Sequence, residues 1–241
     1  MPTSTTLVVL DIDDTLLTSP TYFGSDAWYN WQEGLRGSDP QSTDLVPCLF
    51  GWVALNYEVG TQVATEAGNA QLVAQIAHDR LILTSRSPMA RGATERELDR
   101  AGYTARPTLG PDQEYTWHDA KKNRDHPASY RNGIFMTQGA NKGSILLDLL
   151  KRLGREGRYQ HVVLVDDGRR NIENMGQALA EDGQHLTYYG LLYTQVKKSA
   201  QPTADELRAA RVGLREWKRL LETVYPERKT RLFGAPERCD R

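Results

Sequence analysis

Leu7-Val8-Val9-Leu10-Asp11-Ile12-Asp13-Asp14-Thr15-Leu16 decides how the rest of this chain is read. Its first four residues, apolar and with two β-branched valines, predict a short buried strand. The strand stops at a cluster of carboxylates. Charge is disfavoured inside a buried strand, so acids at its end mark a mouth of the kind where ligands and metals sit. Asp11 and Asp13 are two residues apart, and extended backbone sends both side chains to the same side. Two carboxylates aimed at one point repel each other unless a cation joins them, which makes a metal site the direct expectation. A calcium-binding EF-hand loop would need Gly at its sixth position and Glu at its twelfth. Those positions hold Leu16 and Tyr22, so that reading is excluded. Acidic turns after strands also occur without any chemistry, and the motif has to be weighed with the rest of the chain.

The chain has 241 residues and a formal net charge of −1. That length fits one domain, with or without a small accessory unit. Near-neutrality argues against general binding to nucleic acid or to an anionic membrane. No stretch approaches the ~20 apolar residues of a membrane helix. The first residues lack a basic segment followed by an apolar core, so no export is expected and the location reads as cytoplasmic. Cys48 and Cys239 lie far apart and make no disulfide framework, so two reduced thiols are expected. Cys48 as a nucleophile is disfavoured, because no His stands in a recognisable partner pattern.

Further strands are predicted at 81–83, 134–136, 162–165 and 191–193, and helices at 69–78, 89–101, 144–153 and 171–180. Such alternation predicts an α/β fold: a three-layer α/β/α sandwich with a parallel sheet covered on both faces. Right-handed crossovers bring the strand C-termini to one edge, where ligands bind. We expect a single domain over 1–241 with two long excursions. Residues 20–68 read as a small helical insert above the sheet edge, holding Trp28, Trp31 and Trp52, three of the five tryptophans. Those rings are expected to pack the insert to the body rather than to touch substrate. Residues 106–132 are polar and charged and read as an excursion with little core, leaving open whether they form a second lid. From 203 to 224, Leu207, Ala210, Leu214, Trp217, Leu221 and Val224 share one helical face, expected to dock on the sheet layer. The basic stretch 226–241 reads as a frayed, solvated tail.

Three more strand ends turn the acidic motif into a candidate site. Residues 81–83 run into Thr84-Ser85-Arg86, bringing hydroxyl donors to the edge that holds Asp11. Lys142 precedes the helix expected near Ser144, and a helix N-terminus favours anions. Residues 162–165 end in Asp166-Asp167, a second acidic pair. Taken singly, Thr84 reads as a helix cap, Lys142 as a surface lysine and the acidic pair as a turn. The Gly-x-x-x-x-Gly-Lys-Ser/Thr order of a nucleotide-binding phosphate loop is absent around Lys142. Together the four supply hard oxygens for Mg²⁺, donors for phosphoryl oxygens and a nucleophile.

In this order the motifs resemble those of the haloacid dehalogenase (HAD) superfamily of phosphohydrolases. The matching elements are Asp11-Ile12-Asp13-Asp14-Thr15, Thr84, Lys142 and Asp166-Asp167, within roughly residues 5–195. The stretch from Tyr22 to Trp31 also looks like a little-characterised bacterial branch with a small helical cap. Exported class B acid phosphatases carry a similar Asp-Ile-Asp-Asp-Thr start. The resemblance implies a Rossmann-like sheet and a Mg²⁺-dependent phosphatase. Asp11 would form an aspartyl-phosphate, and Asp13 would serve as general acid and base. Thr84, Ser85 and Lys142 would bind phosphoryl oxygens. Asp11, Asp166, the Asp13 carbonyl and, through water, Asp167 would hold the metal. Asp13 separates phosphoester chemistry from the dehalogenases, whose leaving halide needs no proton. The substrate stays open among phosphorylated metabolites, nucleotides and phosphoproteins bearing phosphotyrosine. A phosphotransferase, or a phosphate-binding protein without turnover, is the alternative.

Overall fold

The computed structural model describes residues 5–183, 186–197 and 201–226. Within them the elements begin with β1 (Thr6–Leu10), β2 (Leu17–Thr18), α1 (Asp26–Ser38), α2 (Leu49–Val59) and β3 (Val63–Ala64). Next come α3 (Asn69–Gln75), β4 (Asp79–Thr84), α4 (Arg91–Arg100), β5 (Gln113–Asp119), β6 (Arg124–Arg131) and β7 (Ile134–Met136). The last are α5 (Lys142–Arg152), β8 (His161–Asp166), α6 (Arg169–Glu181), β9 (Thr187–Leu192) and α7 (Ala204–Val224). They form two compact units, one of Met1–Thr18 with Val63–Val196, the other of Ser19–Gln62 with Lys197–Arg241.

The first unit is a mixed α/β layer structure, a central sheet flanked by helices. Seven strands run in the order β5-β6-β7-β4-β1-β8-β9. The five predicted strands are its parallel part, and β1 lies at the middle of that part, between β4 and β8. Both faces of β1 are covered, which explains its unbroken apolar run: Leu7 and Val9 are wholly buried. The register pairs Leu10 with Ile82 and with Val165. One residue further on, Asp11 therefore stands level with Leu83 on one side and Asp166 on the other. Pairing alone thus assembles the strand ends that the sequence reading brings together.

The segment 106–132 differs from expectation. Residues of β5 pair antiparallel with β6, and β6 antiparallel with β7, so this stretch widens the sheet. Ala128 and Tyr130 belong to the main apolar cluster with Phe135, Leu146 and Leu164. An antiparallel edge needs only one buried face. Its alternation, with Tyr115 and Trp117 inward and Glu114, Thr116 and His118 outward, is obscured by charged neighbours.

The second unit holds α1, α2 and α7. Trp28, Val46, Leu49 and Trp52 are buried together with Ala210, and Leu214, Trp217 and Leu221 pack against them. The predicted stripe on α7 is therefore used against the insert, where the sequence reading expected the sheet layer. Two short helices bearing three tryptophans cannot cover those rings by themselves, and α7 adds a third apolar face. Thr203 starts α7 with a capping box: its hydroxyl accepts from Glu206 N–H while the Glu206 carboxylate accepts from Thr203 N–H. Cys48 is not a free cysteine, which corrects the expectation of a reduced thiol there. Cys239 and the tail beyond residue 226 lie outside the described residues. Among the described residues no helix is long and apolar enough to cross a membrane.

Candidate active site

The turn after β1 is fixed by backbone bonds. Asp11 N–H still donates to Val165, at 3.0 Å, and the N–H groups of Thr15, Leu16 and Leu17 all converge on the Ile12 carbonyl. Asp14 takes a left-handed conformation, φ 55°, which an aspartate tolerates better than most residues. Its carboxylate accepts from Thr18 Oγ1 at 2.7 Å, so the third acid of the motif ties the turn together. Thr15 Oγ1 accepts from Asp167 N–H at 3.0 Å and locks this turn to the end of β8.

Asp11, Lys142 and Asp166 form one buried cluster. Lys142 Nζ lies 2.6 Å from Asp11 Oδ1 and 2.7 Å from Asp166 Oδ2, and all three side chains are at most 8% exposed. Lys142 is the first residue of α5, two residues earlier than the predicted start. Asn141 is the cap, accepting from the N–H groups of Gly143 and Ser144 at 3.0 Å each. Gly143 lets α5 approach α6 closely, because a Cβ there would fall 2.6 Å from that of Ala178 and 2.9 Å from Met175 Cα. Burial pushes the Asp11 carboxyl well above its ordinary range; Lys142 opposes that push, and Asp166 and Asp13 add to it. Burial acts against the Lys142 charge too, but the facing carboxylates of Asp11 and Asp166 outweigh it and raise its pKa. The Lys142 ammonium, 2.6 Å away, favours the charged form of Asp11 against that burial.

Asp166 is further held by N–H donors: Gly168 N at 2.8 Å and Asn171 Nδ2 at 2.9 Å to Oδ1. Carboxylate oxygens of Asp11, Asp166 and Asp167 lie within 4.8 Å of one another. Such hard oxygens suit a divalent cation, so these acidic side chains fit a metal site in chemistry and spacing. Asp13 is handled separately. Its carboxylate accepts from Arg86 Nε at 3.0 Å and Arg86 Nη2 at 2.8 Å, so Asp11 and Asp13 face different cations.

Thr84 is wholly buried at the end of β4, with its Oγ1 accepting from Arg86 N–H at 3.1 Å. It does not cap the following helical turn; Ser87 does, accepting from Met89 N–H. Ser85 is exposed, and its carbonyl accepts from Gly139 N–H at 3.0 Å.

Residues 2–225 match the model of the family described as Protein of unknown function (DUF2608). This chain belongs to that family. No curated protein matches it. Among solved structures, the DUF2608 chain is similar to a HAD family hydrolase from Deinococcus radiodurans R1 with bound phosphate and sodium. Sequence identity is 13% and the TM-score 0.43, over 90% of this chain and 95% of the other.

Two residues of this DUF2608 site escaped the sequence reading. Asn171 stands five residues after Asp166, in the first turn of α6, close enough in sequence to have been sought as a side-chain donor to the acidic pair. Arg86 is two residues past Thr84, yet it works on Asp13, 73 residues away. Nothing in the local sequence announces that partner, which only the β1–β4 register supplies.

Proposed function

We propose that this protein is a phosphomonoesterase of the HAD superfamily, working through an aspartyl-phosphate on Asp11. The observation that supports it best is the Lys142 ammonium, bonded to Asp11 at 2.6 Å and to Asp166 at 2.7 Å. Three chain segments thereby supply a nucleophilic carboxylate, a second acid and a cation at one buried point. Phosphoryl transfer asks for positioning and charge compensation more than for covalent machinery beyond the nucleophile.

An Asp11 oxygen attacks phosphorus while the bond to the leaving oxygen breaks, giving a mixed anhydride on Asp11. Asp13 gives a proton to the leaving oxygen. It then takes a proton from the water that attacks the same phosphorus, freeing phosphate and restoring Asp11. Lys142 keeps Asp11 anionic and offsets the charge brought by the substrate. A Thr84 hydroxyl that accepts from Arg86 N–H keeps its own hydrogen for a phosphoryl oxygen, and Ser85 offers a second hydroxyl. Asp11, Asp166 and the Asp13 carbonyl, with Asp167 through water, would hold Mg²⁺, which when bound adds positive charge against the phosphoryl oxygens.

The test is phosphate release from simple phosphomonoesters with Mg²⁺ and with a chelator. Wild type should turn over only with the metal, and Asp11→Asn should lose about 10⁴-fold or more in kcat while still unfolding cooperatively above the assay temperature. A folded Asp11→Asn variant with full activity would remove Asp11 as the nucleophile.

A further inference from the structure

We infer that Arg86 is a positioning residue for Asp13: it fixes the rotamer of the carboxyl group that serves the leaving oxygen. This rests on the phosphomonoesterase reading and extends it to a residue outside the four motifs. The geometry is a two-point clamp, Nε to Oδ2 at 3.0 Å and Nη2 to Oδ1 at 2.8 Å. A planar fork facing a carboxylate sets its direction as well as its distance, which a single ammonium contact cannot do.

The fork is itself held. The Arg86 side chain is 1% exposed, while that of Asp13 is 20% exposed, so a buried cation points a reachable acid. Arg86 Nη1 donates to Thr94 Oγ1 at 3.1 Å, and Thr94, wholly buried on α4, donates in turn to the Ala90 carbonyl at 2.8 Å. At the backbone, Arg86 N–H donates to Thr84 Oγ1, and the Arg86 carbonyl accepts from Gln138 N–H at 3.1 Å. Side chain and main chain are thus both anchored before the guanidinium reaches Asp13. An arginine kept in water's reach for substrate alone would not need a buried hydroxyl on its far side.

A leaving group that needs a proton tests this role. For an alkyl phosphate such as glycerol 2-phosphate, departure depends on Asp13; for p-nitrophenyl phosphate it hardly does, because the phenolate leaves unaided. With kcat/KM as the readout, only steps through formation of the aspartyl-phosphate are compared. Arg86→Gln should lose ~10²-fold on the alkyl ester and less than about 10-fold on the nitrophenyl ester, the size of a general-acid contribution. Arg86→Lys, which restores charge but not the fork, should recover only a minor part. Asp13→Asn and the Asp13→Asn/Arg86→Gln double variant should be equal on the alkyl ester, because the arginine acts through the acid it holds. Thr94→Val, which keeps Arg86 and removes its far anchor, should bias the two esters in the same direction by a few-fold, and it serves if Arg86→Gln fails to fold.

Equal losses on both esters, or a weakening of inhibition by inorganic phosphate, would make Arg86 a phosphate contact instead. A gain on the alkyl ester would mean that the clamp restrains Asp13, and additive losses in the double variant would mean that the two act apart. Each of those results overturns the inference while wild-type turnover leaves the phosphomonoesterase reading standing. A wild type inactive on both esters fails at that earlier level.

Discussion

The two units hold ion pairs of nearly the same length in opposite surroundings. In the first, Lys142 bridges Asp11 and Asp166 at 2.6 and 2.7 Å with every partner buried. In the second, Arg211 grips Asp44 with two bonds of 2.7 Å, its side chain 61% exposed. Distance therefore says little about what each pair does. Exposed pairs are screened by water and salt and contribute little. A buried cluster has already lost its hydration, so each member depends on the others and removal of one leaves unpaired charge. The first unit accepts that dependence where its strand ends meet. The second spends its interior on aromatic rings and keeps its charges outside.

The strongest way to break this contrast is Lys142→Met. It should destabilise the protein by ~3–5 kcal/mol, as removal of one partner from a buried ion pair does. It should also abolish measurable phosphate release. Because Asp11 and Asp166 would then face each other without a cation, added Mg²⁺ should raise the unfolding temperature of the variant more than that of wild type. Thermal unfolding with and without Mg²⁺ reads this directly. Unchanged stability in the variant would mean that the cluster is better hydrated than its burial implies.

The difference between the units also marks what the sequence could and could not disclose. The parallel strands were legible because central strands are buried on both faces and read as unbroken apolar runs, as 7–10 and 81–83 do. Asp11 and Asp166 were legible as a pair because each directly follows or closes such a run and parallel order carries the ends to one edge; Lys142 was legible with them as a lysine opening the helix that follows β7. The hairpin of β5 and β6 was not, since one-sided burial leaves Tyr115 and Trp117 alternating with polar residues. The partner of α7 was also beyond reach: the stripe from Leu207 to Leu221 announces a buried face without saying what covers it. Arg86 fails for the same reason, as its role depends on a contact across two strands.

Trp52→Ala sharpens the comparison from the side of the second unit. Trp52 is wholly buried among Trp28, Val46, Leu49 and Ala210. Its truncation should cost ~3–5 kcal/mol, chiefly from lost apolar contact and the cavity left behind. At a temperature where the variant remains folded, kcat on p-nitrophenyl phosphate should stay within about threefold of wild type, because the proposed chemistry lies in other residues. Denaturant unfolding and initial rates on the same preparation separate the two effects. A folded Trp52→Ala protein with Lys142-like loss of turnover would show that the aromatic cluster does more than pack.

Asp44→Asn gives the smallest expected change. Hydrogen bonding from Arg211 holds the Asp44 carboxyl below its ordinary range; partial burial opposes this and the guanidinium charge adds to it. A carboxyl whose pKa is lower folded than unfolded contributes stability above its unfolded value, ~3.9, and loses it as pH falls through the folded value. Wild type should therefore exceed Asp44→Asn in unfolding temperature by at most about 2 °C at pH 7. The difference should vanish in strongly acidic buffer and shrink in ~1 M salt, where screening acts within about 3 Å. In Lys142→Met the deficit should also narrow in acid, but because the variant gains stability: protonating Asp11, whose carboxyl burial already pushes upward, removes charge that the substitution leaves unpaired. If both deficits instead faded together with salt alone, the buried cluster and the exposed pair would be electrostatically equivalent, and burial would not be what distinguishes them.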